Sequence, residues 1–231
     1  MKKTSDQSGE DNLVISPYGQ QRRNMLKFFG VSVAAITIGV SCKKDDYADN
    51  NDNNLDLGSG DVGILNFAYA LEQLEAAFYK QVTDSPYSGI STLETAYLQD
   101  IRDHEIIHRE FFKAALGSNA IQDLSVNFSS INFSSRDSVL ATAKAFEDLG
   151  VSAYNGAGKL ITDPNYLTIA GKIVSVEARH AALIHDLIMN GTFAETTDSS
   201  GLDPWMSPPD VIAIANNYLN TKVSASNLPT S

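Results

Sequence analysis

Two glutamate–histidine pairs carry the chemistry this sequence can do. Glu105 and His108 lie in LQDIRDHEIIHREFFKAALG, and Glu177 and His180 lie in VSVEARHAALIHDLI. Residues three apart face the same side of a helix, so carboxylate and imidazole can reach one cation together. Nine glutamates and four histidines in 231 positions would give such a pair roughly 0.2 times by composition alone. Two pairs therefore call for an explanation.

Each pair has a lone glutamate upstream. Glu72 lies 33 residues before Glu105, and Glu147 lies 30 residues before Glu177. Each is followed seven residues later by a tyrosine, Tyr79 and Tyr154, so tyrosine and carboxylate are expected to share a stripe about two turns apart. The chain reads as two similar halves. Glu72, Glu105, His108, Glu147, Glu177 and His180 make the ligand set of a carboxylate-bridged two-metal centre inside a bundle. Four carboxylates balance two divalent cations, and without them such a buried cluster would have to protonate or fill with water. Oxygen and imidazole donors without thiolate suit iron or manganese, and zinc accepts the same atoms; the spacing does not choose between them, and iron is the metal expected first. An iron pair with open positions could bind and reduce dioxygen or peroxide, with Tyr79 or Tyr154 donating a hydrogen bond or an electron. Glu75 could bridge a metal but reads first as a hydrogen-bonding neighbour of the site or a solvent-exposed residue; His104 and His185 read as packing or supporting neighbours, and Glu94 and Glu110 as solvated.

The elements that must position these residues are helices. Ile64, Phe67, Ala68, Leu71, Leu74, Phe78 and Val82 fall at three-and-four spacing, predicting a helix over 61–82 with Asp61 as N-cap. Thr83–Ser91 holds Pro86 and Gly89 and reads as a connection. A second helix is expected over 92–116, stopped by Gly117. SNAIQDLSVNFSSINFSS, 118–135, has no sustained period and reads as the long crossover that two parallel neighbours need. A third helix is expected over 135–161, and a fourth from the Asp163 cap and Pro164 to about Asn190. Ser207-Pro208-Pro209-Asp210 caps a shorter helix expected to cover one end of the bundle together with Trp205.

LNFAYALEQLEAAFY, HEIIHREFFKAALG, FEDLGVSAYNGAG and VEARHAALIHDLI together resemble the ferritin-like superfamily over Asp61–Asn190, 130 of 231 residues. The resemblance is nearest to bacterial ferritin-like proteins related to plant desiccation-associated proteins. It implies an all-α, four-helix bundle with one long crossover, and it favours Glu72 over Glu75 as the first-helix ligand, with Tyr79 as its partner. It implies neither a storage cage, given the tether and the unrelated tail, nor the cysteine-bound iron domain of rubrerythrins, which one cysteine cannot build. Electrons would come from another partner, and a homodimer is compatible.

The N-terminal region reads as an address. Residues 1–27 are polar and basic, and 28–41 form an uncharged apolar run too short to span a bilayer. Residues 1–41 thus resemble an export signal, with Arg22-Arg23 in QRRNMLKFFG resembling a twin-arginine motif; an ordinary Sec signal is the alternative. Ile38-Gly39-Val40-Ser41-Cys42 resembles a lipoprotein cleavage box with Cys42 lipidated, although Gly39 stands where a large aliphatic residue is usual; the alternative is an exported protein with a free thiol. Residues 42–60, rich in Asp, Asn and Gly, read as a flexible acidic tether reaching roughly 25 Å. The domain is then 61–190 and the C-terminal extension 191–231.

A net charge of −11 for the chain makes nucleic acid a poor partner. Two function classes follow. One is an exported di-metal protein, anchored in the cell envelope, that oxidises ferrous iron or consumes dioxygen or peroxide, as a ferroxidase- or peroxidase-like oxidoreductase. The other is a non-catalytic, envelope-anchored stress-protection or interaction module in which metal is structural or absent.

Overall fold

A computed structural model describes residues 54–230. Arg22, Arg23, Cys42 and the tether up to residue 53 lie outside the described residues. No described helix is long and apolar enough to cross a membrane.

Four long helices form the bundle: α1 (Gly60–Asp84), α2 (Thr92–Leu116), α3 (Arg136–Gly158) and α4 (Pro164–Ile188). Their starts follow local chemistry. Ser91 accepts a hydrogen bond from Glu94 N, Ser135 from Ser138 N, and Asp163 from Asn165 N with Pro164 in the first turn. Gly117 stops α2 with φ at +55°.

α1 departs from expectation at its start. Ser59, not Asp61, is the cap, and its side chain makes no capping bond. Asp61 instead reaches the start of α4, accepting from Thr162 N and Oγ1 and from Asp163 N at 2.8 Å each. The acid thus ties the end of one hairpin to the other.

α1 pairs with α2, and α3 with α4. Residues 120–135 run between the hairpins and lay Leu124, Phe128 and Phe133 on the core, with Phe128 and Phe133 ring centres 6.0 and 5.8 Å from that of Phe78. Buried polar groups stitch this crossover to α1: Asn66 Oδ1 accepts from Ile121 N and Gln73 Oε1 from Leu124 N. Backbone amides in a loop that crosses a core need such partners.

The tether ends earlier than its composition suggests. Leu55–Asp56 form β1, which pairs in parallel with β2 (Val223–Ser224), and Leu57 is fully buried. Two apolar side chains in an otherwise polar run are enough once a strand from the far end of the chain meets them. The extension also covers the bundle through α5 (Pro208–Ala215), burying Val211, Ile212 and Ala215. Trp205 does not join it: the indole is 63% exposed, under the Lys159 ammonium.

The extension is seated on α3 at Gly156. Met206 N donates to Ser152 O at 2.9 Å, and a Cβ at position 156 would lie 1.8 Å from Met206 O. Backbone cannot step aside as a side-chain tip can. Gly156→Ala is therefore expected to cost about 3 kcal/mol, the upper range for overpacking, read as a lowered urea midpoint.

Candidate metal centre

The bundle brings all six predicted ligands into its middle. α1 contributes Glu72, α2 Glu105 and His108, α3 Glu147, and α4 Glu177 and His180. All four carboxylates are fully buried, and the imidazoles nearly so. Ionised carboxylates in such a place need a compensating charge.

The donor atoms divide into two sets whose members all lie within 4.8 Å of one another. One set is Glu72, Glu105, His108 and Glu177; the other is Glu105, Glu147, Glu177 and His180. His108 Nδ1 stands 2.9 Å from Glu177 Oε1, 3.5 Å from Glu72 Oε2 and 3.8 Å from Glu105 Oε2. His180 Nδ1 stands 2.8 Å from Glu105 Oε1, 3.5 Å from Glu147 Oε2 and 3.6 Å from Glu177 Oε2. Glu105 and Glu177 each turn one oxygen to each set. With two ions bound, Glu105 and Glu177 would be shared between them, and Glu72 and Glu147 would each serve one.

The two shortest approaches, 2.8 and 2.9 Å, are ion pairs when the imidazole carries a second proton, although their geometry is not that of a hydrogen bond. These eight atoms, Oε2 of Glu72 and Glu147, both oxygens of Glu105 and Glu177, and both Nδ1 atoms, are buried without a protein hydrogen-bond partner. Groups that leave such atoms unsatisfied lose the full desolvation cost. Atoms about 2.1 Å from a shared ion would lie roughly 3.0 Å apart at a right angle and about 3.4 Å apart at a tetrahedral angle. Of the six N···O separations two are slightly shorter and four slightly longer than that interval. In donor type, charge and mutual approach the residues fit two cations.

Electrostatics lead to the same place. Burial would lower His108, but Glu105, Glu177 and Glu72 raise it to about 12. His180 is raised likewise, Glu147 and Glu105 outweighing burial. Burial and then the Glu177 charge push Glu105 up to about 8, against the pull of His108 and His180. Glu177 would also be raised by burial, yet the two imidazoles hold it at about 2. Protons stand where divalent cations would neutralise the cluster.

The tyrosines work across the bundle, not along their own helices. Tyr79 donates to Glu147 Oε1 and Tyr154 to Glu72 Oε1, each at 2.5 Å. Two turns on one helix separate Glu72 from Tyr79 by about 10 Å of rise, farther than the ring reaches, so each tyrosine finds the other half's carboxylate. Rising positions on α1 meet falling positions on α3. These helices are therefore antiparallel, the halves are related by a near-twofold axis, and each terminal carboxylate keeps its other oxygen for an ion.

The family model for the ferritin-like domain matches residues 60–190, more than half the chain. The chain belongs to the ferritin-like domain family. No curated protein matches it.

Within this ferritin-like bundle, His104 backs a ligand: its Nδ1 lies 2.8 Å from His180 Nε2. Such a partner fixes ring orientation. His185 stands apart, between Asp148 at 2.8 Å and Glu195 at 3.1 Å. Glu94 is not solvated but buried beside Arg136, whose Nε donates at 2.7 Å; its partner lies 42 residues away, beyond the reach of helical spacing. Glu110 is exposed beside Arg109. Glu75 is buried as a fifth carboxylate. Opposite it stands Gly150.

An apolar cavity adjoins the Glu72–His108 end. Ala68, Leu71, Phe112, Ala153, Tyr154 and Ile169 are among its walls, and it has about 20 Å³ of room for the centre of a water-sized molecule. Leu71 precedes Glu72, and Phe112 lies one turn beyond His108.

Proposed function

We propose that the protein is a di-iron carboxylate oxidoreductase of ferroxidase type, with dioxygen as the oxidant. The observation that carries this reading is the gathering of eight buried donor atoms into two sets, each within 4.8 Å, that share Glu105 and Glu177. When bound, an iron pair supplies the electrons that reduce dioxygen. Glu105 and Glu177 fix the spacing of the two positions. Tyr79 and Tyr154 hold Glu147 and Glu72 in one orientation and keep a proton on each phenol, since burial, and then the charge of the carboxylate each faces, raises both well above the ordinary tyrosine range. Dioxygen suits the neighbouring cavity because its walls are apolar, whereas peroxide would lose its hydrogen bonds there.

The address belongs to the same proposal. Arg22-Arg23, the apolar run and Cys42 suit an exported, lipid-anchored protein, and the twin-arginine route carries folded, often cofactor-loaded proteins. The rival reading, a non-catalytic envelope module, shares the fold and differs in turnover.

Anaerobic loading with ferrous iron followed by elemental analysis should give about two ions per chain, and air should then raise a near-ultraviolet absorption band as dioxygen is consumed. One ion or none, with no spectral change, overturns the proposal. Two ions with no oxygen consumption leave the rival.

A further inference from the structure

Glu75 is the buried carboxylate that neither donor set includes. It lies three residues past Glu72 on α1 and is 4% exposed. Burial, and after it the charges of Glu105, Glu177, Glu147 and Glu72, raise its carboxyl well above the usual range.

The near-twofold axis that relates Glu72 to Glu147 and Tyr79 to Tyr154 relates position 75 to position 150, and there the symmetry breaks. Position 150 is glycine, inside a helix, where it costs about 1 kcal/mol relative to alanine. A Cβ there would lie 3.1 Å from Glu75 Oε1 and 3.9 Å from Glu177 Oε2. The missing side chain leaves room for the Glu75 carboxylate. Glu177 Oε2 is the oxygen that Glu177 gives to the His180 set, so Glu75 approaches the centre from the His180 side.

From this placement we propose that Glu75 is a seventh metal ligand, serving the ion held by Glu105, Glu147, Glu177 and His180. The two positions are then unequal. Five side chains hold the His180-side ion and four the His108-side ion, which also adjoins the apolar cavity and keeps more of its coordination free for a small molecule. This inference rests on the reading of a two-ion centre.

Titrating the full chain with Mn²⁺, with free ion read by electron paramagnetic resonance, tests it without turnover. The wild type should bind two ions, one more tightly. Glu75→Gln, nearly isosteric, should weaken the tighter ion by about tenfold or more, at least what loss of an outer partner costs, and leave the other within about twofold. In a His108→Ala background the same change should weaken the remaining ion; in a His180→Ala background it should not. Gly150→Ala, which crowds Glu75 but keeps its charge, should weaken the same ion, and it carries the test if Glu75→Gln does not fold. Two ions in the wild type with both affinities unchanged by Glu75→Gln and by Gly150→Ala overturn this inference and leave the two-ion centre standing. Fewer than two ions in the wild type overturn the centre itself.

Discussion

Glu177→Gln is expected to remove both metal ions from the loaded protein, whereas Glu72→Gln should leave one. Glu177 turns Oε1 to the His108 set and Oε2 to the His180 set, while Glu72 belongs to the first set alone. An amide keeps the volume but has no negative charge and only one oxygen. Losing an outer partner of a metal ligand already costs 10–100-fold in affinity, and losing a shared ligand applies a larger loss at two positions at once. After desalting, elemental analysis should find about two ions per chain in the wild type, one in Glu72→Gln or Glu147→Gln, and none in Glu177→Gln or Glu105→Gln. Equal losses from terminal and bridging variants would refute the shared-carboxylate arrangement. Far-ultraviolet circular dichroism on each variant separates loss of metal from loss of fold.

The six clustered side chains could be read from sequence because their signal is local. Glu-x-x-His puts two donors on one helical face whatever the rest of the chain does, and the upstream glutamates repeat at similar distances. The four helices were legible for the same reason: Leu71, Leu74 and Phe78, or Leu98 and Ile101, repeat with the helical period and are buried as expected. What escaped depends on partners remote in sequence. Tyr79 sits on the same stripe as Glu72 but bonds Glu147, 68 residues away, because reach across the bundle is shorter than two turns along a helix. Leu55 and Leu57 look like parts of a polar tether until Val223 and Ser224 pair beside them. Asp61 reads as a cap because it precedes a helix, yet its acceptors are used at Thr162 and Asp163. Gly150 lowers helix propensity when read alone and gains a purpose only opposite Glu75.

Metal loading is expected to raise the melting temperature, with the gain widening from pH 6 to pH 8. Without metal, His108 is raised to about 12 against an unfolded value near 6.5, so its stabilising contribution is complete below about 6.5 and is lost progressively as pH climbs toward 12. Glu105, raised to about 8, acts in the same direction: between about 4.5 and 8 the folded state holds a proton that the unfolded state has released, so stability falls as pH rises. The metal-free protein therefore becomes less stable across this window. Divalent cations need those atoms deprotonated, so their affinity strengthens over the same range. At a free metal concentration about 1,000 times Kd the stabilisation is about 4 kcal/mol, which for a domain of this size is roughly 8–16 °C. Differential scanning calorimetry with chelator and with Mn²⁺, at pH 6, 7 and 8, reads both trends. A melting temperature indifferent to metal at every pH would show that the buried cluster is satisfied by protons alone, and a gap that narrows toward pH 8 would mean that metal does not displace them.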